Sequence, residues 1–301
     1  MEGEVGFGRV AIIGLGLIGG SLGLALRRSG AVDEVVGVDL SASVLARAEE
    51  RGLIDRGTTD PGAGVAGAEV VVTAVPVGSF GAVLAAARPG LAEGVLVTDV
   101  GSVKAPVIAE AETLLPETAT FVGGHPLAGT EDSGVEAALD RLFQKALCIL
   151  TPTPATPARD LERAKALWTL VGSEVVTMEP REHDRVLAAT SHLPHMMAFT
   201  LIRTFGDLDA PDHLARFAAG GFRDLTRIAG SDPIMWRDIA LANSEPLLEM
   251  LDRFEERLED LRQAIAAGDG TALESFFREA RALRRGLPPR AHPDEEQDEQ
   301  Q

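Results

Sequence analysis

Tyrosine is absent from all 301 residues, which excludes any redox chemistry whose proton relay depends on a phenol. A proton taken up near neutral pH falls instead to histidine, and the chain holds six. Cysteine is nearly absent as well. Cys148 is the only one, so there is no internal disulfide, and a reducing cytoplasm is the expected location. It lies in the apolar run from Ala146 to Leu150, where an inert buried thiol is expected rather than a nucleophile. Positive charge is scarce: 28 basic against 46 acidic residues leave a formal charge of -18. That balance disfavours nucleic acid and anionic membrane as partners, and admits a small acidic substrate only where a few cations converge. No long apolar run is uninterrupted. Val10 to Leu26 is uncharged for 17 residues but contains five glycines and Ser21, which suits neither a membrane span nor a signal peptide.

What is present suits a globular chain of two domains, with 45% hydrophobic and 25% charged residues. Through residue 180, short β-branched runs alternate with helical patterns. The runs are Val10–Ile13, Val35–Asp39, Val70–Val75, Val95–Asp99, Thr120–Val122, Ala146–Leu150 and Glu174–Met178. Strands buried on both faces read this way, so an α/β, doubly wound, mostly parallel sheet is expected over 1–180. From Arg181 the strand signal stops, and an all-helical domain is expected over 181–286. Ser244 opens a long helix, Thr271 with Glu274 fits a capping box, and Gly286 followed by Pro288 and Pro289 fits a stop. Leu247, Leu251, Phe254, Leu258, Leu261 and Ile265 recur at alternating four- and three-residue spacing, a narrow seam for a helix hairpin or a subunit interface. Residues 287–301 are acidic and Gln-rich, and read as a disordered tail.

Gly14-Leu15-Gly16-Leu17-Ile18-Gly19 fits G-x-G-x-x-G. It follows a strand and opens a helix, and Asp39 ends the next strand 20 residues after Gly19. In that setting the motif reads as a dinucleotide fingerprint. Gly14 allows the turn, Gly16 admits the pyrophosphate, and Gly19 lets the helix pack close with its positive end at the phosphates. Asp39 would accept from the ribose hydroxyls and repel a 2′-phosphate, and Leu-Ser-Ala-Ser at 40–43 offers no arginine to neutralise one, so NAD is favoured over NADP. A methyltransferase shares the glycine-rich turn and acidic strand end, and is the weaker rival.

Ligands of doubly wound sheets sit beyond the carboxyl ends of the strands. TAVPV (73–77), with Val75 and Pro76, falls there and is assigned to the cofactor. TDVGSVK (98–104) ends the next strand. GGHPLAGTE (123–131) places His125 on a glycine-flanked loop, either as a proton acceptor or as a structural histidine. Ser102 and Lys104 also have bland readings, as a turn hydroxyl and a helix-start lysine. SHLPH (191–195) poses a different question, since His-x-x-His invites a metal. Pro194 should kink the helix, the two histidines share roughly one face, and no further His, Cys or carboxylate follows within the next turns. A metal is not expected.

GLGLIGGS, TDVGSVK, GGHPLAGTE, SHLPH and GGFRDLTRIAGSDPIMW (220–236), in this order, resemble the prephenate/arogenate dehydrogenase family from about Arg9 to Arg285. The resemblance implies a Rossmann-type domain followed by a helical dimerisation domain, a homodimer, and oxidative decarboxylation of prephenate or arogenate with NAD(P). By the same resemblance His125 takes the ring 4-hydroxyl proton as hydride departs, and Ser102 orients the histidine and the hydroxyl. Arg227 grips a substrate carboxylate, as a bidentate guanidinium can. Ser191, His192 and His195 contact substrate. Glu131, Arg223 and Asp224 form a charged group near the entrance, lined also by Trp236. Many relatives carry a regulatory ACT domain or a fused chorismate mutase, and neither is expected within these 301 residues. A hydroxyacid dehydrogenase or imine reductase would share the plan without HPLAGTE and SHLPH. An NAD-sensing scaffold would not need a proton acceptor beside Arg227, His192 and His195.

Overall fold

In a computed structural model, residues 6–130, 132–209 and 215–287 are described. The first part alternates β1 (Phe7–Ile13), α1 (Leu17–Ser29), β2 (Val32–Val38), α2 (Ala42–Glu50), β3 (Arg56–Thr58), α3 (Pro61–Val65), β4 (Val70–Thr73), α4 (Phe80–Ala87), β5 (Leu96–Asp99), α5 (Ala105–Leu114) and β6 (Thr120–Pro126). After a long connection come β7 (Leu147–Thr151), α6 (Ala158–Leu170) and β8 (Glu174–Thr177). The sheet order is β3-β2-β1-β4-β5-β6-β7-β8. Every neighbouring pair is parallel except β6 with β7. The order reverses between β1 and β4, which is where this architecture opens a ligand crevice.

All seven strands expected from apolar runs are present. The eighth, Arg56-Gly57-Thr58, has no apolar residue to announce it and is held by its pairing with β2. Alternation along the strands divides the core. Val10, Ile12, Val70 and Val72 face a cluster with Leu22 and Leu26 of α1 and Leu167 and Trp168 of α6. Ala11, Ile13, Val36 and Val71 face the other layer, with Phe80 and Leu84 of α4 and Val107 of α5. Both faces are covered, which is why these strands read as continuous hydrophobic runs.

The expected loop around His125 is instead strand. Gly123–Pro126 pair with β7, and His125 stands opposite Ile149. The glycines suggested a turn, but β7 runs antiparallel and extends the ladder past them. Strand polarity leaves no mark on an apolar run.

Beyond the sheet the chain is helical: α7 (Pro180–Leu187), α8 (Leu193–Gly206), α9 (Gly220–Thr226) and α10 (Pro233–Ala242). A π-helical turn, Ala188–His192, leads directly into α8, whose first turn holds Pro194; a π turn and a proline are each places where a helix bends. The chain divides into two compact units, one ending at Asn243 and the other beginning at Ser244. The second is a hairpin of α11 (Ser244–Ala267) and α12 (Gly270–Gly286). The α12 cap is not Thr271 but Asp269, whose carboxylate accepts from the N–H groups of Thr271 and Ala272. A carboxylate at a helix head satisfies free donors and also meets the positive end of the helix. On this hairpin Leu258, Ile265, Phe277 and Leu283 remain exposed. The expected tail lies, beyond Leu287, outside the described residues.

Candidate active site

The glycine turn is built on close approach. Gly14 has φ +95, and a side chain there would strike the Ala74 carbonyl and press on Val75. A side chain on Gly19 would strike the Gly14 carbonyl, so α1 can start this close to β1 only with glycine there. Gly16, the residue before α1, has open space where a Cβ would stand. Leu17 buries its side chain and Ile18 packs beside the core, so a phosphate here meets backbone N–H groups at the head of a 13-residue helix. Asp39 is already oriented: one carboxylate oxygen accepts from Leu15 N–H at 3.1 Å, the other from Ser41 N–H at 3.0 Å. Val75 is half-buried and Pro76 exposed at the carboxyl end of β4. The set fits a dinucleotide.

Across the crevice four of the six histidines converge. His125, at the end of β6, is 7% exposed. Its Nδ1 lies 2.8 Å from Nε2 of His183, and His183 Nδ1 lies 2.8 Å from Asp184 Oδ1. Asp184 also accepts from the backbone N–H groups of Lys104 (2.7 Å) and Ala105 (2.8 Å) at the head of α5. Those donors mark its oxygens as acceptors, and the protons along the line then follow. His183 must donate from Nδ1 to the carboxylate, which leaves Nε2 as an acceptor. His125 must therefore donate from Nδ1, and its Nε2 carries the free lone pair. Burial, then the charges of His183, Lys104 and His192, push His125 well below the ordinary histidine value. Burial lowers His183 too, against the opposing pull of Asp184. The His125 ring is therefore neutral at neutral pH and basic at Nε2.

Lys104 is no helix-start surface lysine. It is completely buried, paired with Asp99, and donates to the Gly124 carbonyl at 2.7 Å. Asp99 in turn accepts from Gly124 N–H at 3.0 Å. The pair clasps the strand one residue before His125.

His192 is fully enclosed, with Nδ1 3.0 Å from Asn243 Nδ2. Burial takes its imidazole down to about 4. His195 is less enclosed, stacks on Trp236 at 3.7 Å, and donates from Nδ1 to the Ser191 carbonyl at 2.8 Å, leaving Nε2 as an acceptor. Burial and then the Arg227 charge lower His195, against its bond to Ser191. Trp236 also packs with Ile239 and with Val103, the residue after Ser102 in the chain. Arg223, Asp224 and Arg227 line one groove with Phe222. Glu131 lies outside the described residues.

The sequence brings forward His125, His195, Trp236 and Arg227, but not His183, Asp184, Asp99 or Asn243, and it undervalues Lys104. An available signal was the His183-Asp184 dipeptide at the start of the helical region, in a chain with so few histidines.

A dinucleotide cradle facing a buried imidazole base defines a dehydrogenase-type site. Residues 22–177 match the nucleotide-binding domain of prephenate dehydrogenase, and residues 179–279 match its dimerization domain. The chain belongs to the prephenate dehydrogenase family. It is 39% identical to prephenate dehydrogenase of Bacillus subtilis (93% of this chain, 76% of that one). It is 41% identical to cyclohexadienyl dehydrogenase of Zymomonas mobilis (93% and 96%). Among solved structures, prephenate dehydrogenase from A. aeolicus in complex with hydroxyphenyl propionate and NAD+ matches with a TM-score of 0.86, at 39% identity over 92% of this chain and 97% of that one. Synechocystis arogenate dehydrogenase matches with a TM-score of 0.77 at 31% identity (92% and 99%).

Proposed function

We propose that this chain is an NAD-dependent prephenate dehydrogenase, converting prephenate to 4-hydroxyphenylpyruvate and CO2. The observation that carries the reading is the buried line Asp184–His183–His125, which leaves Nε2 of His125 as a neutral, basic acceptor at the carboxyl end of β6. Bound NAD, held by the Gly14–Gly19 turn and Asp39 with Val75 and Pro76 alongside, would accept the hydride from C4 of the ring. His125 Nε2 takes the 4-hydroxyl proton as the carbonyl forms. The bond from the ring to its carboxylate then breaks, CO2 leaves, and its electron pair aromatises the ring. The proton on Nε2 returns to the resulting phenolate oxygen, so none is gained or lost overall. His183, itself held by Asp184, keeps the His125 ring in place through the bond at Nδ1.

Arg227 binds a substrate carboxylate, giving a dianion the local cation that the overall charge denies it. His195 and Ser191 contact substrate, with Trp236 as the wall behind. Ser102 orients the hydroxyl and His125, while Glu131, Arg223 and Asp224 guard the entrance. The exposed apolar face of the α11–α12 hairpin, in the stretch that matches a dimerization domain, supports a homodimer. No helix among the described residues is long and apolar enough to cross a membrane; a cytoplasmic location remains the reading from composition.

The deciding assay follows reduced-cofactor absorbance with prephenate and with arogenate, each with NAD and NADP. The expected result is the highest kcat/KM for prephenate with NAD. Turnover of arogenate alone would make the chain an arogenate dehydrogenase. Turnover of simple 2-hydroxy acids, and of neither dienol, would overturn the reading.

A further inference from the structure

Asn243 directly follows the last turn of α10 and is 2% exposed. Its Nδ2 donates to the main-chain carbonyl of Asp184 at 2.8 Å. A carbonyl accepts and never donates, so this bond fixes which end of the amide is nitrogen. The same nitrogen faces His192 Nδ1 at 3.0 Å. Two amide protons meet two acceptors. His192 Nδ1 must therefore present its lone pair, and the single proton of the neutral ring resides on Nε2.

We propose that Asn243 is a positioning residue: its amide fixes His192 as the Nε2–H tautomer, so that the enclosed ring offers a donor to the Ser102 turn. Three observations support the direction of this action. The ring is completely buried, its Nε2 has no hydrogen-bond partner among the described residues, and it meets edge to face the Trp236 ring that packs on Val103, the residue after Ser102. His192 belongs to the π-helical turn, a geometry often kept where a side chain must face a given way. Asn243 also joins three elements that bear on the site: α7 through Asp184, the π-helical turn through His192, and α10, which carries Trp236. A proton on Nδ1 instead would oppose the amide, whose nitrogen can only donate. His192 thus acts through the Ser102 turn and not as a ligand of the substrate. This kinetic consequence rests on the dehydrogenase reading above; the tautomer does not.

The test uses the full chain labelled with 15N-histidine, with His192 assigned by loss of its signals in His192→Gln. At neutral pH, long-range 1H–15N spectra are expected to show a bare Nδ1 and a protonated Nε2. Asn243→Asp replaces the donor by an acceptor and should move the proton to Nδ1 or doubly protonate the ring. In the prephenate assay the same variant should lose roughly 10- to 100-fold in kcat, a typical cost of displaced groups, with KM held within about threefold. A protonated Nδ1 in the unaltered protein overturns the proposal, and needs no variant that folds. A reversed tautomer with unchanged kcat, or a loss confined to KM, overturns the link to the Ser102 turn. If the protein oxidises neither dienol, the function falls, and the ring spectra still decide the tautomer.

Discussion

His125 and His183 meet edge to face, ring planes at 65°, with 2.8 Å between Nδ1 and Nε2. A second imidazole thus stands where a carboxylate would usually orient a catalytic histidine, and the carboxylate is one residue further on. Replacing His183 by leucine removes the acceptor for His125 Nδ1–H and lets the base ring turn. The expected outcome is a fall in kcat of about 10- to 100-fold with KM nearly constant. An unchanged kcat in steady-state assays would dismiss the relay.

His125 and Arg227 should separate kinetically. His125→Asn removes the proton acceptor and should lower kcat by about 10²- to 10⁴-fold at similar KM. Arg227→Ala removes a contact made in ground and transition states alike. It should raise KM strongly, at a cost of roughly 2–5 kcal/mol. The opposite pattern would exchange their roles.

The acid limb of the rate profile should fall below the ordinary histidine value. From the sequence, a pKa near 6.5 is the natural expectation for His125. Burial with no opposing charge in contact lowers it, so the base stays neutral and active to lower pH. Lys104→Met removes one of the depressing charges and should move the limb upward. It also leaves Asp99 buried without its partner, a loss of about 3–5 kcal/mol in stability. A limb that stays put in the folded variant would show that the Lys104 charge is not felt.

Stability should decline on the acid side. His125, His183 and His192 all hold protons less tightly when folded, His192 down to about 4. Below about pH 6.5 the unfolded chain binds protons that the folded chain refuses, so each step down favours unfolding. Tm by calorimetry should be lower at about pH 5 than at neutrality. An equal or higher Tm would contradict the buried, neutral state of these rings.

Asp39→Ala should narrow the preference for NAD. Both carboxylate oxygens are already fixed by backbone donors, so the negative charge cannot swing away from a 2′-phosphate. Ratios of kcat/KM for the two cofactors measure this directly. Higher kcat/KM with NADP in the unaltered protein would refute the assignment.

The sheet was legible because its strands are buried on both faces. Val10, Val35, Val70 and Val95 each begin an apolar run that no amphipathic helix would show. The helix caps were legible only in kind: Thr271 has the right chemistry, but Asp269 reaches the free donors. His125 stood out because a polar group on a glycine-flanked stretch needs a reason to be there, and Arg227 because GGFRDLTRIAGSDPIMW carries the family resemblance. His183, Asp184 and Asn243 did not. His183 and Asp184 sit among other polar residues of a short helix and Asn243 just past the end of another, and their meaning comes from what the fold brings within 3.0 Å, 51 to 80 residues away in sequence.

β6 changes partners midway. It pairs with β5 through Val122 and with β7 from Gly123 onward. The N–H and C=O of Gly124, which a longer β5 would have taken, are held instead by Asp99 and Lys104. Two side chains therefore substitute for a missing length of strand. The sheet splits at this point without leaving a bare edge onto which a foreign chain could zip. The opening beside His125 is accordingly written into the strand pairing: loop changes can reshape its rim, but closing it would require re-registering the sheet.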